Sequence, residues 1–180
     1  MAGLTALLHN PEAFSQLYTK SHLIIFRYVY GLLGGPTPEA EDIAAETYLR
    51  AWKHRWRFRG DEQDALRWLL TIARHLVIDY QRRKKVHKQV YTDQDDEDIE
   101  RYFIAQDISP EEQCVTLEQL KIVWQLMQTL PTERREMIVL RYQLGWQVKT
   151  IAEHLKMPEN TVTVYLQRSL AQIRRDWPEA

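Results

Sequence analysis

Apolar residues recur every three or four positions along most of the chain, the period of a buried helical face, and turn signals are few. The pattern predicts an all-α protein. A first helix over about 11–33 aligns Phe14, Leu17, Tyr18, Ile25 and Val29, and Gly34-Gly35-Pro36 ends it. Thr37 is placed to cap the next helix, with Pro38 at its first position and Glu39, Glu41 and Asp42 at its positive dipole end. That helix is expected to reach Phe58. Arg59-Gly60-Asp61 interrupts the pattern, and a third helix over about 64–85 aligns Leu69, Ile72, Leu76 and Tyr80. From Tyr91 to Glu112 the period fails, and the acidic run at 93–98 with Ser109-Pro110 reads as a solvated linker. The pattern resumes at Leu117 with Leu120, Trp124 and Met127, and continues in helices expected over about 132–144, 148–155 and 158–176. Two small helical domains joined by a flexible acidic linker follow, with boundaries expected at 8–90, 91–111 and 112–177.

Charge sharpens this division. The whole chain of 180 residues has a formal charge of −1, but residues 1–90 carry +5, residues 91–118 carry −9 and residues 119–180 carry +3. Two basic lobes flank an acidic strap, an arrangement suited to a polyanionic partner. The single cysteine, Cys114, excludes an intrachain disulfide and suits a reducing compartment. Met1–Leu8 has neither the basic start nor the apolar run of a signal peptide, and no apolar stretch approaches the roughly 20 residues of a membrane span. The expectation is a soluble, cytoplasmic protein without membrane insertion of its own.

The segment 148–168 has the form helix, tight turn, helix. Ile151, Ala152 and Leu155 supply the inner face of the first helix, and small Ala152 allows a close crossing. Pro158 is expected at the first position of the second helix, on which Val162, Leu166, Ser169 and Ile173 share an inward arc. Asn160, Thr163, Val164, Gln167 and Ala171 lie on the other side, with Arg168 at its edge, a face whose short polar side chains suit base edges and phosphates. A helix-turn-helix of this form, with Arg174 and Arg175 beyond it, favours duplex DNA over a merely solvated face.

In the N-terminal half, Asp42, Glu46, Arg50, Lys53 and Arg57 form one polar stripe, while Ala44, Ala45, Tyr48, Leu49, Ala51, Trp52 and Trp56 cover a wide apolar arc. Such a helix can pack on its own domain and still leave an edge for a partner. Next come Arg55-Trp-Arg-Phe-Arg-Gly-Asp61, Arg67-Trp-Leu-Leu-Thr-Ile-Ala-Arg-His75 and Arg82-Arg-Lys-Lys85, in which aromatics alternate with cations that can stack on unpaired bases and neutralise phosphates. Trp52 and Trp68 read as core residues; Phe58, Arg59 and the basic tail are the expected contacts.

These residues resemble a known family. Phe14-Ser-Gln-Leu-Tyr18, Glu39-Ala-Glu-Asp-Ile43, Phe58-Arg-Gly-Asp61, Trp68-Leu-Leu-Thr-Ile-Ala-Arg74 and Ile78-Asp79 resemble region 2 of extracytoplasmic-function (ECF) sigma factors of bacterial RNA polymerase. Leu130-Pro131, Leu140-Arg-Tyr142, Ile151-Ala-Glu153 and Thr161-Val162 resemble region 4 of the same family. The resemblance implies that Asp42, Glu46, Leu49, Arg50 and Lys53 dock on the clamp helices of the polymerase's largest subunit. It implies that Phe58, Arg59, Arg67, Arg74, His75, Arg82 and Arg83 meet the minus-ten element as it melts. Lys149, Asn160, Thr161, Thr163, Val164, Gln167 and Arg168 would read the minus-thirty-five element, with this domain resting on the flap of the second-largest subunit. Many members are also held by an anti-sigma factor, which the sequence does not identify.

The chain departs from the family's usual pattern in places. Ala45 stands where Gln is frequent, His75 where Asn is common, Gln147 where a capping Ser or Thr is usual, and Lys156 where the turn often has Gly. Thr163 and Tyr165 replace frequent Lys and Arg, which predicts a shallower salt dependence of upstream binding. Three other readings compete, one of them a sigma-like protein that no longer initiates, which Ala45 keeps open. An enzyme is disfavoured because the sequence holds no Gly-rich phosphate loop, no His/Cys ligand spacing and no Ser-His-Asp arrangement, and scattered His54, His75, His87 and His154 suggest none. No cofactor or metal is expected. A helix-turn-helix regulator acting without polymerase is the alternative; it would have no use for the basic-aromatic stretch around Phe58-Arg-Gly-Asp61.

Overall fold

The computed structural model describes residue 8 and residues 10–35, 37–86 and 110–178, with side chains up to residue 84 and again from residue 119. Seven α-helices run in order among these residues: α1 (Pro11–Leu33), α2 (Thr37–His54), α3 (Glu62–Val86), α4 (Pro110–Gln128), α5 (Thr132–Ile138), α6 (Val148–Leu155) and α7 (Glu159–Arg175). The chain divides into two compact units, one carrying α1–α3 and the other α4–α7. The acidic run at 93–98 and most of the expected linker lie outside the described residues. The last two residues of that linker, Pro110 and Glu111, belong to α4, which starts ahead of the apolar pattern.

In the first unit each helix packs on the other two. Asn10 caps α1, its Oδ1 accepting from the Glu12 N–H at 2.9 Å, and Gly34 closes the helix in the left-handed conformation (φ 79°) that glycine adopts without strain. Ile25, Tyr28, Val29 and Leu32 of α1 meet Ala40, Ala44 and Ala51 of α2 and Leu69, Leu70, Ala73 and Val77 of α3 in a buried core. The α1 and α3 stripes differ in part from the sequence expectation. Tyr18 is 48% exposed rather than inward, and on α3 the fully buried positions include Leu70, Ala73 and Val77, with Ile72 and Tyr80 half-buried. A helix held between two neighbours buries a wider arc than one apolar stripe.

The junction of α2 and α3 corrects a second expectation. Helix α2 stops at His54, and Arg55–Arg57 form a tighter 3-10 turn instead of continuing to Phe58. The Arg55 guanidinium donates to the Trp52 carbonyl at 2.7 Å and the Phe58 N–H closes on the Arg55 carbonyl at 3.1 Å, so the helix end is satisfied locally. Helix α3 begins at Glu62 because Asp61 and Asp64 cap it reciprocally: the Asp64 N–H donates to Asp61 Oδ1 at 2.9 Å and the Asp61 N–H to Asp64 Oδ2 at 3.2 Å. Gly60 adopts φ +150°, and a Cβ there would fall 2.6 Å from that of Asp64. The Gly60-Asp61 pair therefore fixes the entry to α3.

In the second unit α5, α6 and the end of α4 pack on α7. Met127, Leu130, Met137, Leu140, Ile151, Val162 and Leu166 form its core. Buried Arg135 ties the α4–α5 turn, donating to Gln128 Oε1 at 2.8 Å and to the Leu130 carbonyl at 3.2 Å. The helix expected to reach residue 144 changes register: Val139–Gln143 is a π-turn, closed by the Leu144 N–H on the Val139 carbonyl, before Gly145 at φ 69°. Between α6 and α7, Lys156 takes the left-handed conformation (φ 55°) and Pro158 occupies the capping position of α7 rather than its first turn.

Candidate nucleic-acid interface

The outer side of α2 is set by what its inner side buries. With Ile43, Ala44, Thr47, Tyr48 and Ala51 turned inward, Asp42, Leu49, Arg50 and Lys53 are exposed and Glu46 is half-buried. Glu46 Oε1 accepts from Arg50 Nε at 2.8 Å, one turn apart. Leu49 is 65% exposed, an apolar side chain left in water on a helix otherwise well packed. The five residues assigned to docking thus share one accessible side of one helix.

The aromatic-basic stretch is arranged differently from its sequence expectation. Phe58 is 7% exposed and stacks on Trp68 with ring centroids 5.2 Å apart, so it belongs to the core edge; Trp52 and Trp68, expected inside, are both half-buried. The turn at 55–57 ends the helix, and Phe58 follows it in extended conformation with its side chain buried. Arg59 is exposed, yet one of its terminal nitrogens donates to the Trp56 and Phe58 carbonyls at 2.9 and 2.7 Å, which holds the guanidinium against the turn.

Along α3, Arg67, Arg74, His75 and Arg82 are accessible to different degrees and lie within about a quarter turn of one another, spread over ~22 Å of helix axis. Arg67 leans on Asp64 at 3.8 Å and Arg82 on Asp79 at 4.0 Å; both pairs are solvent-exposed and weak. Arg83 parts from this set. It lines a groove of about 510 Å³ between α2 and α3 with Asp42, Ile43, Glu46, Arg50, Leu76, Tyr80 and Lys84. A second groove of about 340 Å³ joins His75, Trp68 and Ile72 of α3 to Arg50 and His54 of α2 and to Arg57. Arg50 touches both grooves. The structure therefore brings Asp42, Glu46 and Arg50 beside Arg83 and His75 along the α2–α3 seam, and joins His54, Arg57 and Lys84 to them. Only the crossing of two helices reveals them.

In the second unit, Val162, Leu166 and Ser169 of α7 are buried, while Asn160, Thr163, Val164, Gln167 and Arg168 are exposed on the opposite side and Thr161 is half-buried. Lys149, on the first turn of α6, is exposed as well. Thr163 Oγ1 donates back to the Glu159 carbonyl at 3.0 Å, so its hydroxyl is engaged with its own helix. Tyr165 stands under the Arg134 guanidinium, 5.3 Å from the ring centroid, which fixes its ring toward α5 and away from the outer face. Tyr142, on the π-turn, is 58% exposed and was not anticipated.

Among the described residues, no cluster of three metal-ligating side chains occurs and no helix is long and apolar enough to cross a membrane.

Comparison with known proteins meets this arrangement from outside. Residues 17–86 match the Sigma-70 region 2 family and residues 120–173 match Sigma-70, region 4. The ECF RNA polymerase sigma factor SigL of Mycobacterium tuberculosis is 32% identical over 159 residues, covering 88% of this chain and 85% of its own. The ECF RNA polymerase sigma factor SigW of Bacillus subtilis is 32% identical over 171 residues, covering 92% and 89%. Among solved structures, the sigma factor RpoE of Bartonella quintana, in complex with the anti-sigma factor NepR, superposes with a TM-score of 0.68 at 19% identity over 91% of this chain and 96% of its own. CnrH, in complex with the cytosolic domain of CnrY, gives 0.63 at 20% identity over 96% and 93%. The all-α fold, the two helical units and the order of the two regions agree with these relatives, and the chain belongs to the ECF sigma factors of the sigma-70 family, which direct RNA polymerase to promoters rather than catalyse a reaction of their own.

Proposed function

We propose that this sigma factor divides its work between its two units, residues 8–90 docking on core polymerase and engaging the minus-ten element, and residues 112–177 reading the minus-thirty-five element. The observation that carries the docking assignment is Leu49, an exposed apolar side chain flanked by Asp42, Glu46, Arg50 and Lys53 on a helix whose other face is fully used. This edge docks on the clamp helices of the largest subunit. The Arg67–Arg82 side of α3 and Arg59 accompany the melting strand, with His75 at the mouth of the α2–α3 groove. Phe58 supports that surface from beneath by packing on Trp68, and Arg83 serves the docking seam. The outer face of α7, with Lys149, enters the major groove, while this unit rests on the flap of the second-largest subunit.

An anti-sigma factor is a further partner in this reading, since the solved relative RpoE was captured in complex with the anti-sigma factor NepR. The factor acts in the cytoplasm, where polymerase and promoters are. The test is reconstitution with sigma-free bacterial core polymerase and a library of genomic fragments, followed by sequencing of transcript starts. Discrete starts sharing a two-block upstream motif are expected. Tight duplex binding by the free chain, without start-site enrichment over core alone, would instead favour a regulator that acts without polymerase.

A further inference from the structure

Among the described residues of the first unit, the two most exposed large apolar side chains are Leu49 at 65% and Trp56 at 53%. They are seven residues apart, and the Arg55 guanidinium, in contact with both the Trp52 and the Trp56 rings, holds the second indole beside the end of α2. Exposed Ala45 lies one turn before Leu49, and half-buried Trp52 one turn after it. Positions 45, 49, 52 and 56 alternate spacings of four, three and four, the interval of a seam built to receive another helix.

Trp56 is held in place. The Arg55 guanidinium lies 3.7 Å over the Trp52 ring and 4.4 Å from the Trp56 ring, and it is fixed by its 2.7 Å bond to the Trp52 carbonyl. Trp52 in turn meets Phe14 of α1 edge-on at 5.0 Å. A run of ring contacts therefore leads from half-buried Phe14 to the surface and ends in an indole. An aromatic fixed in this way loses little freedom on binding, the property that makes tryptophan a frequent anchor of interfaces. Charge grades along the seam, from Asp42 and Glu46 at one end to Lys53 and Arg57 at the other. The acidic end disfavours a nucleic acid lying along it and suits a helix with the opposite gradient.

We infer that Trp56, propped by Arg55, is an anchor of the polymerase-docking surface, extending it past Lys53 to receive a clamp helix that carries an apolar heptad seam with acidic residues beside Arg57. This rests on the reading that α2 docks on polymerase.

The test is the affinity of the fluorescently labelled full chain for core polymerase. Trp56→Ala is expected to weaken binding about tenfold or more. Arg55→Ala should weaken it by a smaller factor, because the indole remains but is no longer held. Tyr18→Ala, which removes a comparably exposed aromatic from α1, should leave affinity within about twofold. Circular dichroism melts show whether each variant is folded, and Arg55→Ala decides the matter should Trp56→Ala not fold. If Leu49→Ala weakens binding while Trp56→Ala and Arg55→Ala keep wild-type affinity, the anchor is wrong and the docking reading stands. Wild-type affinity combined with loss of promoter opening in Trp56→Ala assigns the ring to DNA and overturns the inference. Failure of the unmodified chain to bind core overturns both.

Discussion

Three residues illustrate how conformation and burial set single-site behaviour. Lys156 holds a left-handed conformation that costs a side chain with a Cβ roughly 1–2 kcal/mol and glycine much less. Lys156→Gly is therefore expected to stabilise the second unit by up to about 1 kcal/mol in denaturant titrations, part of the gain being offset by the freer unfolded chain. A lower midpoint would mean that the lysine side chain makes a stabilising contact. Tyr48 is the reverse case, a group suited to its site. Its hydroxyl donates to Ser21 Oγ at 2.8 Å, while the Ser21 hydroxyl donates to the Leu17 carbonyl at 2.6 Å. Burial pushes the Tyr48 phenol well above its ordinary value near 10, and Tyr18 adds a smaller upward push. A folded-state value above the unfolded one means that the stability tied to this group is complete below pH 10 and declines as the pH rises further. Melts between pH 9 and 12 should show that decline, and Tyr48→Phe should lessen it after allowance for the lost hydrogen bond. Gly60 lies in a third regime, where a Cβ would collide with Asp64 at the α3 cap.

At the scale of elements, each helix divides into a face that folds the unit and a face left to act. Leu69 of α3 is fully buried, so Leu69→Ala should cost about 2–5 kcal/mol in the first unit, measured by equilibrium unfolding. Arg67 and Arg82 on the exposed side of the same helix should cost little stability when replaced by alanine, since their ion pairs with Asp64 and Asp79 are long and solvated. Helix α7 divides likewise. Val162, Leu166 and Ser169 are committed to packing, so Gln167 and Arg168 can change without unfolding the unit. Arg168→Ala in holoenzyme is expected to weaken promoters broadly and to lower the slope of log affinity against log salt by about 0.9 if it neutralises one phosphate. An unchanged slope would remove Arg168 from the phosphate contacts. Loss at some minus-thirty-five sequences and not others is the signature expected of Gln167→Ala, which removes an amide able to pair with a base edge.

For the whole molecule, the division of labour predicts that variants in the two units differ in kind. Leu49→Asp puts a charge on the docking edge and should lower transcription from every promoter in equal proportion, with a matching loss of core affinity. Changes on the outer face of α7 should alter the ranking of promoters and leave core affinity intact. Transcription from a panel of promoters, set beside core titrations, separates the two patterns; promoter-dependent loss in Leu49→Asp would contradict the assignment. The charge distribution bears on the same scale. Two basic lobes with an acidic strap give a net charge near zero, so the free chain has only modest long-range attraction for duplex DNA and is expected to bind promoters firmly only within holoenzyme.

The sequence by itself determined the helical class, the two-unit organisation, the order of the two regions and the inward face of the recognition helix, because helical periodicity and residue order are local and survive without knowledge of packing. A stop signal carried by local residues, such as Gly34 after α1, is legible for the same reason. The tertiary structure alone decided which aromatics of the 52–58 stretch face water. That outcome depends on where α2 stops, on Arg55 stacking between two tryptophans, and on Phe58 finding Trp68 across the α2–α3 turn. It also decided that Arg83 joins the Asp42–Glu46 seam and that His54 and Arg57 share a groove with His75. Those neighbours come from different helices, and no periodicity along one helix encodes the crossing that brings them together.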